Sequence, residues 1–183
     1  DHVGVVGVLN ADNLLHFPDF RAFERVFQLV TQVSGRAGRR GKQGKVIIQT
    51  NNPSQLILKR IIENDYLGFY EGEVLERERH LYPPFARLIK IVVKHENEKS
   101  CFEAAKALAK PLKKRLGAAR VLGPEAPLIN RIRNKFLQEI MIKLEREKVN
   151  LKAVKEFIAQ EVENFYKDKK FKNVWVVLNV DPV

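Results

Sequence analysis

Apolar positions along the chain change period several times, and the changes mark its elements. Val3 to Leu9 is an apolar, β-branched run that predicts a buried strand of a parallel sheet. Such a strand normally has neighbours on both sides. Nothing precedes it, so the pattern predicts a chain cut from a larger protein. Asn10 to Pro18 reads as loop. Phe20, Phe23, Phe27 and Val30 recur at spacings of three and four and predict one face of a helix, with Asp19 as its N-cap and an end near Gly35. Lys45 to Thr50 predicts a second strand. Strand, loop, helix, Gly-rich turn and strand together read as the end of an α/β sheet domain, residues 1–52.

Residues 53–83 read as a helical connector. Leu56, Ile57, Ile61 and Ile62 form one apolar side after Pro53 and Ser54, and Tyr66 to His80 forms a second, more polar helix. Tyr82-Pro-Pro-Phe85 closes the stretch, because consecutive prolines cannot continue a helix. Residues 84–183 then show a compact pattern. Arg87 to Lys94 is a strand. Phe102, Ala105, Leu108, Leu112 and Leu116 form a helical stripe that Gly117 ends, with a kink expected at Pro111. Ala119 to Leu122 and Phe136 to Leu144 are strands. Leu151, Val154, Ile158, Val162 and Phe165 mark a second helix, and Val174 to Val180 a last strand. The order β-α-β-β-α-β is the split βαβ arrangement of ferredoxin-like folds.

Composition adds a direction to this outline. The 183 residues carry 33 Lys or Arg against 22 Asp or Glu, and 45% are hydrophobic, enough for a sizeable core. The excess charge is not shared evenly. Residues 1–80 are nearly balanced, whereas residues 81–183 hold almost all of it, concentrated in Lys110–Arg115 and Lys167–Lys172. A one-sided excess fits either a polyanion partner or a solvated Lys/Glu surface. A single cysteine, Cys101, excludes an internal disulfide and a thiolate metal cluster. The four histidines are scattered, and no metal site is expected. No apolar run is long enough to span a bilayer, so no membrane association and a cytoplasmic location are expected.

The sharpest chemical pattern is Gln32-Val-Ser-Gly-Arg-Ala-Gly-Arg39. Two arginines three residues apart, in a Gly-flanked turn at a helix end, can direct both guanidinium groups at one phosphate, which a planar guanidinium binds bidentately. Gln32 would then polarise a water or hold the nucleotide edge. A Gly/Arg-rich turn is also found as a plain basic loop; the helix leading into it and the spaced Gln argue for the phosphate site.

Gln32 to Arg39 resembles motif VI, Q-x-x-G-R-x-x-R, of superfamily 2 helicases. Asp19-Phe-Arg-Ala-Phe-Glu-Arg25, Leu9–Asp12, Gly41–Thr50, Leu81-Tyr-Pro-Pro-Phe85, Leu122-Gly-Pro124 and Leu178-Asn-Val-Asp-Pro182 are together similar to the PriA family of bacterial replication-restart helicases. The resemblance covers nearly the whole chain. It implies an ATP-dependent 3′-to-5′ DNA helicase as parent, acting at stalled or branched forks and assembling the primosome. It implies the end of a RecA-like second motor lobe followed by a small S10-like domain. Gln32, Gly35, Arg36 and Arg39 would contact the phosphates of ATP, with Mg2+, as half of a site, and Arg39 would be the arginine finger. The P-loop, the acidic magnesium motif and the family's zinc-binding cysteines are not in this sequence, so it is expected to be inactive alone. Implied partners are branched and single-stranded DNA, the acidic tail of single-stranded-DNA-binding protein and other primosome proteins, in a nucleoid-associated setting. Arg131, Arg133, Lys135, Lys167, Lys169 and Lys170 are the DNA- or partner-binding candidates, Lys135 lying near the position matching the family's tail pocket.

Three other residues bear on the picture. Cys101 reads as a packed thiol. Trp175, between valines in the last strand, reads as a core or half-buried residue, with base stacking as the alternative. Tyr166 and Phe171 flank the Lys167–Lys172 run, where they would either grip single-stranded DNA or, for Phe171, fill the core. Rival readings of the whole chain are a nucleic-acid-binding or docking module without a motor, and another superfamily 2 helicase.

Overall fold

A computed structural model describes residues 3–35, 37 and 44–182. The chain divides into two compact units, Asp1–Glu76 and Arg77–Val183. It is a mixed α/β protein with one parallel and one antiparallel sheet.

In the first unit, β1 (Val5–Val8) and β2 (Lys45–Ile48) pair in parallel, Val5 opposite Lys45 and Val8 opposite Ile48. The parallel sense agrees with the apolar run at the start of the chain. Between the strands lie α1 (Ala11–Leu15) and α2 (Ala22–Ser34), and after them α3 (Leu56–Ile62) and α4 (Tyr66–Arg79). The stretch read as loop thus contains a helix. Asn10 adopts a left-handed conformation (φ 51°) and turns the chain directly from β1 into α1, whose Ala11 and Leu15 are buried. Five residues are too few to display a helical repeat, which is why the pattern concealed it.

The α2 face also differs. Ala22, Val26, Phe27 and Val30 are its buried positions, and Phe23 is 43% exposed. Asp19 does not cap the helix. Its carboxylate accepts a hydrogen bond from the Arg21 backbone N–H (2.9 Å) and pairs with Arg25 (2.9 Å), closing a turn ahead of Ala22. Ile57, Leu58 and Phe69 of α3 and α4 join the same core as Val8, Leu15 and Val26, and the Phe27 and Phe69 rings stack with centroids 4.6 Å apart.

The second unit is built on β3 (Ala86–His95), α5 (Glu98–Leu116), β4 (Val121–Glu125), β5 (Arg131–Ile132), β6 (Lys135–Glu145), α6 (Leu151–Lys167) and β7 (Trp175–Val180). The sheet order is β4-β6-β3-β7, antiparallel throughout, with the two-residue β5 attached to β6. Both faces of the central strands hold buried residues, Leu88 and Val92 of β3 among them, but the main core lies on one face. Ile89, Ile91 and Val93 of β3 and Ile140, Ile142 and Leu144 of β6 point to one face, where Leu108 and Leu112 of α5 and Val154, Ile158 and Phe165 of α6 cover them. Both helices start on an Asn whose side-chain oxygen accepts the N–H three residues on: Asn97 from Ser100 (2.9 Å) and Asn150 from Ala153 (3.1 Å). Gly117 ends α5 at φ 94°, a conformation that favours glycine, and the helix continues through Pro111 to reach it. Gly123 (φ 85°) lies so close to β6 that a Cβ there would sit 2.5 Å from the Glu139 carbonyl oxygen. No described helix is long and apolar enough to cross a membrane.

Candidate nucleotide half-site and nucleic-acid interface

The two groups of residues singled out by sequence occupy different units. In the first, Gln32 is exposed on the last turn of α2, and Gly35 follows as the C-cap. Arg36 and Arg39 lie outside the described residues. Gly35 is in the right-handed helical region (φ −65°, ψ −12°), and its N–H donates to the Thr31 carbonyl (3.1 Å). A side chain would fit there, since the nearest atoms stand 3.6 Å from an ideal Cβ. Glycine is therefore not required by the turn at this position. The Gly35 N–H is engaged within the helix and is not available to a phosphate.

Sequence reasoning assigned little to Asp12, apart from its likeness to an acidic family position. The structure makes it a clamp. One carboxylate oxygen accepts from the Thr50 hydroxyl (2.7 Å), the other from the Asn51 N–H (2.7 Å) and side-chain amide (2.9 Å). The Thr50 hydroxyl first, then the Asn51 N–H, hold its carboxyl below the usual carboxylate range. The start of α1 is thereby tied to the end of β2, at the edge of the parallel sheet where α/β proteins place their ligands.

In the second unit, β5 and β6 form a hairpin whose corners are Arg133 and Asn134, both left-handed (φ 47° and 62°). Two positive φ angles are the signature of the tight hairpin turn that matches strand twist. The hairpin carries Arg131 and Arg133, both exposed, and Lys135. Arg131 bonds Asn134 and lies 5.0 Å from the centre of the Phe136 ring. Lys135 reaches across the sheet to the Trp175 ring, its Nζ 3.1 Å from the centroid.

The other basic run precedes β7. Lys167 bonds Asn164 (2.8 Å) at the end of α6, and Lys169 is exposed. Lys170 is engaged with Glu103 of α5 (2.8 Å), which raises the pKa of the amine and lowers that of the carboxyl through their shared hydrogen bond. The topology brings both runs to one end of the sheet, where β6 and β7 begin and β3 ends.

The aromatic residues sort themselves differently from expectation. Phe171 is buried and stacked on Phe165 (4.5 Å), so it fills the core. Tyr166 is tied by its hydroxyl, which donates to the Val174 carbonyl and accepts from the Val176 N–H, both at 3.1 Å. Trp175, read as core or half-buried with base stacking as the alternative, is 58% exposed. Its strand is the sheet's edge, and α5 and α6 cover only the opposite face. Cys101 is fully buried against the Val93 and Phe136 carbonyls, and burial pushes its thiol pKa up, as a packed thiol requires.

The fold and charge define a mixed α/β protein whose second unit is basic at one end; comparison with known proteins gives the lineage. Residues 78–183 match the family model described as primosomal protein N C-terminal domain. The chain is 39% identical over 182 residues to replication restart protein PriA of Bacillus subtilis, which covers 99% of this chain and 22% of that protein. It is 36% identical over 183 residues to the Treponema pallidum PriA, covering 98% and 26%, and 38% identical over 143 residues to that of Thermotoga maritima, covering 78% and 19%. The chain belongs to the PriA family and carries the family's C-terminal domain. It spans about a quarter or less of the length of these relatives.

Proposed function

We propose that the chain works in replication restart as part of an ATP-dependent 3′-to-5′ DNA helicase that recognises stalled or branched forks and promotes primosome assembly. Residues 1–52 belong to the second, RecA-like motor lobe in this reading. Residues 53–83 connect it to a ferredoxin-like, S10-like domain, residues 84–183. The order β4-β6-β3-β7 with both helices on one face supports that domain assignment.

The observation that carries the reading is identity with the PriA relatives at 36–39% along 98–99% of the chain, a span that takes in Gln32–Arg39. Among the described residues of the half-site, Gln32 offers an exposed amide to a nucleotide, whereas the Gly35 N–H is engaged by Thr31. Arg36 and Arg39 would supply the charge, and ATP with Mg2+ would supply the phosphoryl group whose transfer drives movement along DNA. The basic end of the second unit would hold DNA or the acidic tail of single-stranded-DNA-binding protein. The chain alone is expected to turn over no ATP.

The test is the full-length parent carrying Arg39→Ala. Its DNA binding should persist while ATP turnover falls by about 10³-fold or more. Retained turnover would remove the finger role. Fork binding by the chain that is equally weak at low and high salt would count against its DNA-binding role.

A further inference from the structure

We propose that the open end of the antiparallel sheet's second face, where β6 and β7 begin, is a stacking platform for unpaired bases, with Trp175 as its anchor. The inference rests on the DNA-binding reading above and deepens it by assigning a site and a form of nucleic acid.

Strand register defines the platform. Ile91 and Val93 of β3 and Ile140 and Ile142 of β6 face the helices. Alternation therefore sends Lys94, Lys135, Leu137, Trp175 and Val177 to the other face, and pairing of Ile132 with Lys135 adds Ile132. Trp175 stands directly opposite Lys94 on the neighbouring strand. The indole exposes 58% of its surface and Ile132 exposes 49%, while Leu137 on the same face is buried.

The charge on this face suits a phosphate backbone. Lys94 and Lys135 make no ion pair with any described residue, and Lys135 rests on the indole instead. The one carboxylate nearby on β6, Glu139, is neutralised by Lys90 at 3.2 Å. Arg131 and Arg133 of the hairpin and Lys167 and Lys169 ahead of β7 flank the same end. An exposed aromatic ring set among unpaired cations on a sheet face is the arrangement that holds single strands. The ring takes the π-face of a base and the cations take its phosphates. A base inside a duplex has both faces covered by its neighbours, so the platform selects unpaired nucleotides. Lys135 has a place in both states: on the indole when the face is empty, and on a phosphate when a base lies there.

Arg133 fits the same account. A non-glycine residue with φ 47° at a hairpin corner is strained, and glycine would relieve it. The strain places a permanent cation at the rim of the platform.

Trp175 is the only tryptophan, so its fluorescence reports the site directly. The chain is titrated with oligo(dT), with a blunt duplex of equal length and with a synthetic acidic peptide, following indole emission and the anisotropy of labelled DNA. Oligo(dT) should quench Trp175, and Trp175→Ala should weaken its binding about tenfold without lowering the melting temperature, with Trp175→Phe recovering most of the loss. Lys135→Ala should reduce the salt slope of log K by about 0.7. Oligo(dT) binding with unchanged emission and equal affinity in Trp175→Ala would overturn the platform while leaving the DNA-binding reading intact. Quenching by the acidic peptide and not by oligo(dT) would overturn it in favour of a protein partner. Failure to bind any DNA would remove both readings.

Discussion

The two units of this chain bury their strands to very different degrees. In the first, Val5 and Ile47 of the parallel pair are 58% and 59% exposed, and only Val8 of the two strands is buried. In the second, the facing residues of β3 and β6 are sealed under two helices. A parallel sheet is ordinarily covered on both faces, whereas an antiparallel one keeps a wet face without cost to its core. The contrast shows which unit owes its order to its own packing. It also shows where exposed apolar surface is expected to carry function: on the second unit, whose core is complete without it.

The largest effect expected from this contrast is in leucines buried alike. Leu108→Ala should lower the main unfolding transition by about 3 kcal/mol, because the site is walled by helix and sheet and collapses little. Leu15→Ala should leave that transition in place and raise only the amide exchange of β1 and β2. Equal loss of the main transition in both variants, read by denaturant melts with exchange, would show the two units folding as one.

A smaller effect separates two glycines. Gly123→Ala should cost about 2 kcal/mol, since the new Cβ meets the Glu139 carbonyl and φ is positive. Gly35→Ala should be neutral within about 0.5 kcal/mol, because the backbone there is helical and a Cβ would meet its neighbours only at ordinary contact distance, 3.6 Å. A harmful Gly35→Ala in the melting curve, rather than in nucleotide binding, would contradict the geometry of the α2 end.

The smallest effect concerns acid. Arg120 holds Glu145 through two hydrogen bonds, 2.7 and 3.2 Å, and these bonds depress the Glu145 pKa below its ordinary 4.5. A depressed carboxyl stabilises the fold fully above its unfolded value and loses that contribution as pH falls through the folded one. The bridge is partly solvated, so Glu145→Gln should cost about 0.5–1 kcal/mol at pH 7 and nothing near pH 2. Asp12 follows the same sign in the first unit, below its ordinary 3.8. Urea melts at both pH values decide the point; a difference that persists in strong acid would exclude the bridge as its source.

How much of this was visible in the sequence depended on the length of each repeat. The long strands and helices of the second unit announce themselves, because β3, β6, α5 and α6 each repeat their period several times. The two-residue β5 and five-residue α1 do not. The α2 stripe was misplaced because several phenylalanines precede it, and hydrophobicity alone does not say that Phe23 faces outward. The Q-x-x-G-R-x-x-R spacing was legible as a pattern tied to a family. At Trp175 the sequence left base stacking only as the alternative to packing. Valines on either side suggest burial, and only the strand order, a non-local property, reveals that β7 is an edge strand whose Trp175 and Val177 are exposed. The Asp12 clamp was hidden for the same reason, since Thr50 and Asn51 are 38 and 39 residues away.

Lys143 is buried on β6, its Nζ donates to the His80 carbonyl at 2.7 Å, and it lies 3.7 Å from the centre of the Tyr82 ring. Burial alone pushes its pKa down. The opening stretch of the second unit is therefore moored to its own sheet, with one ammonium gripping its backbone. Whatever pulls on residues 80–82 pulls directly on the longest strand of the sheet.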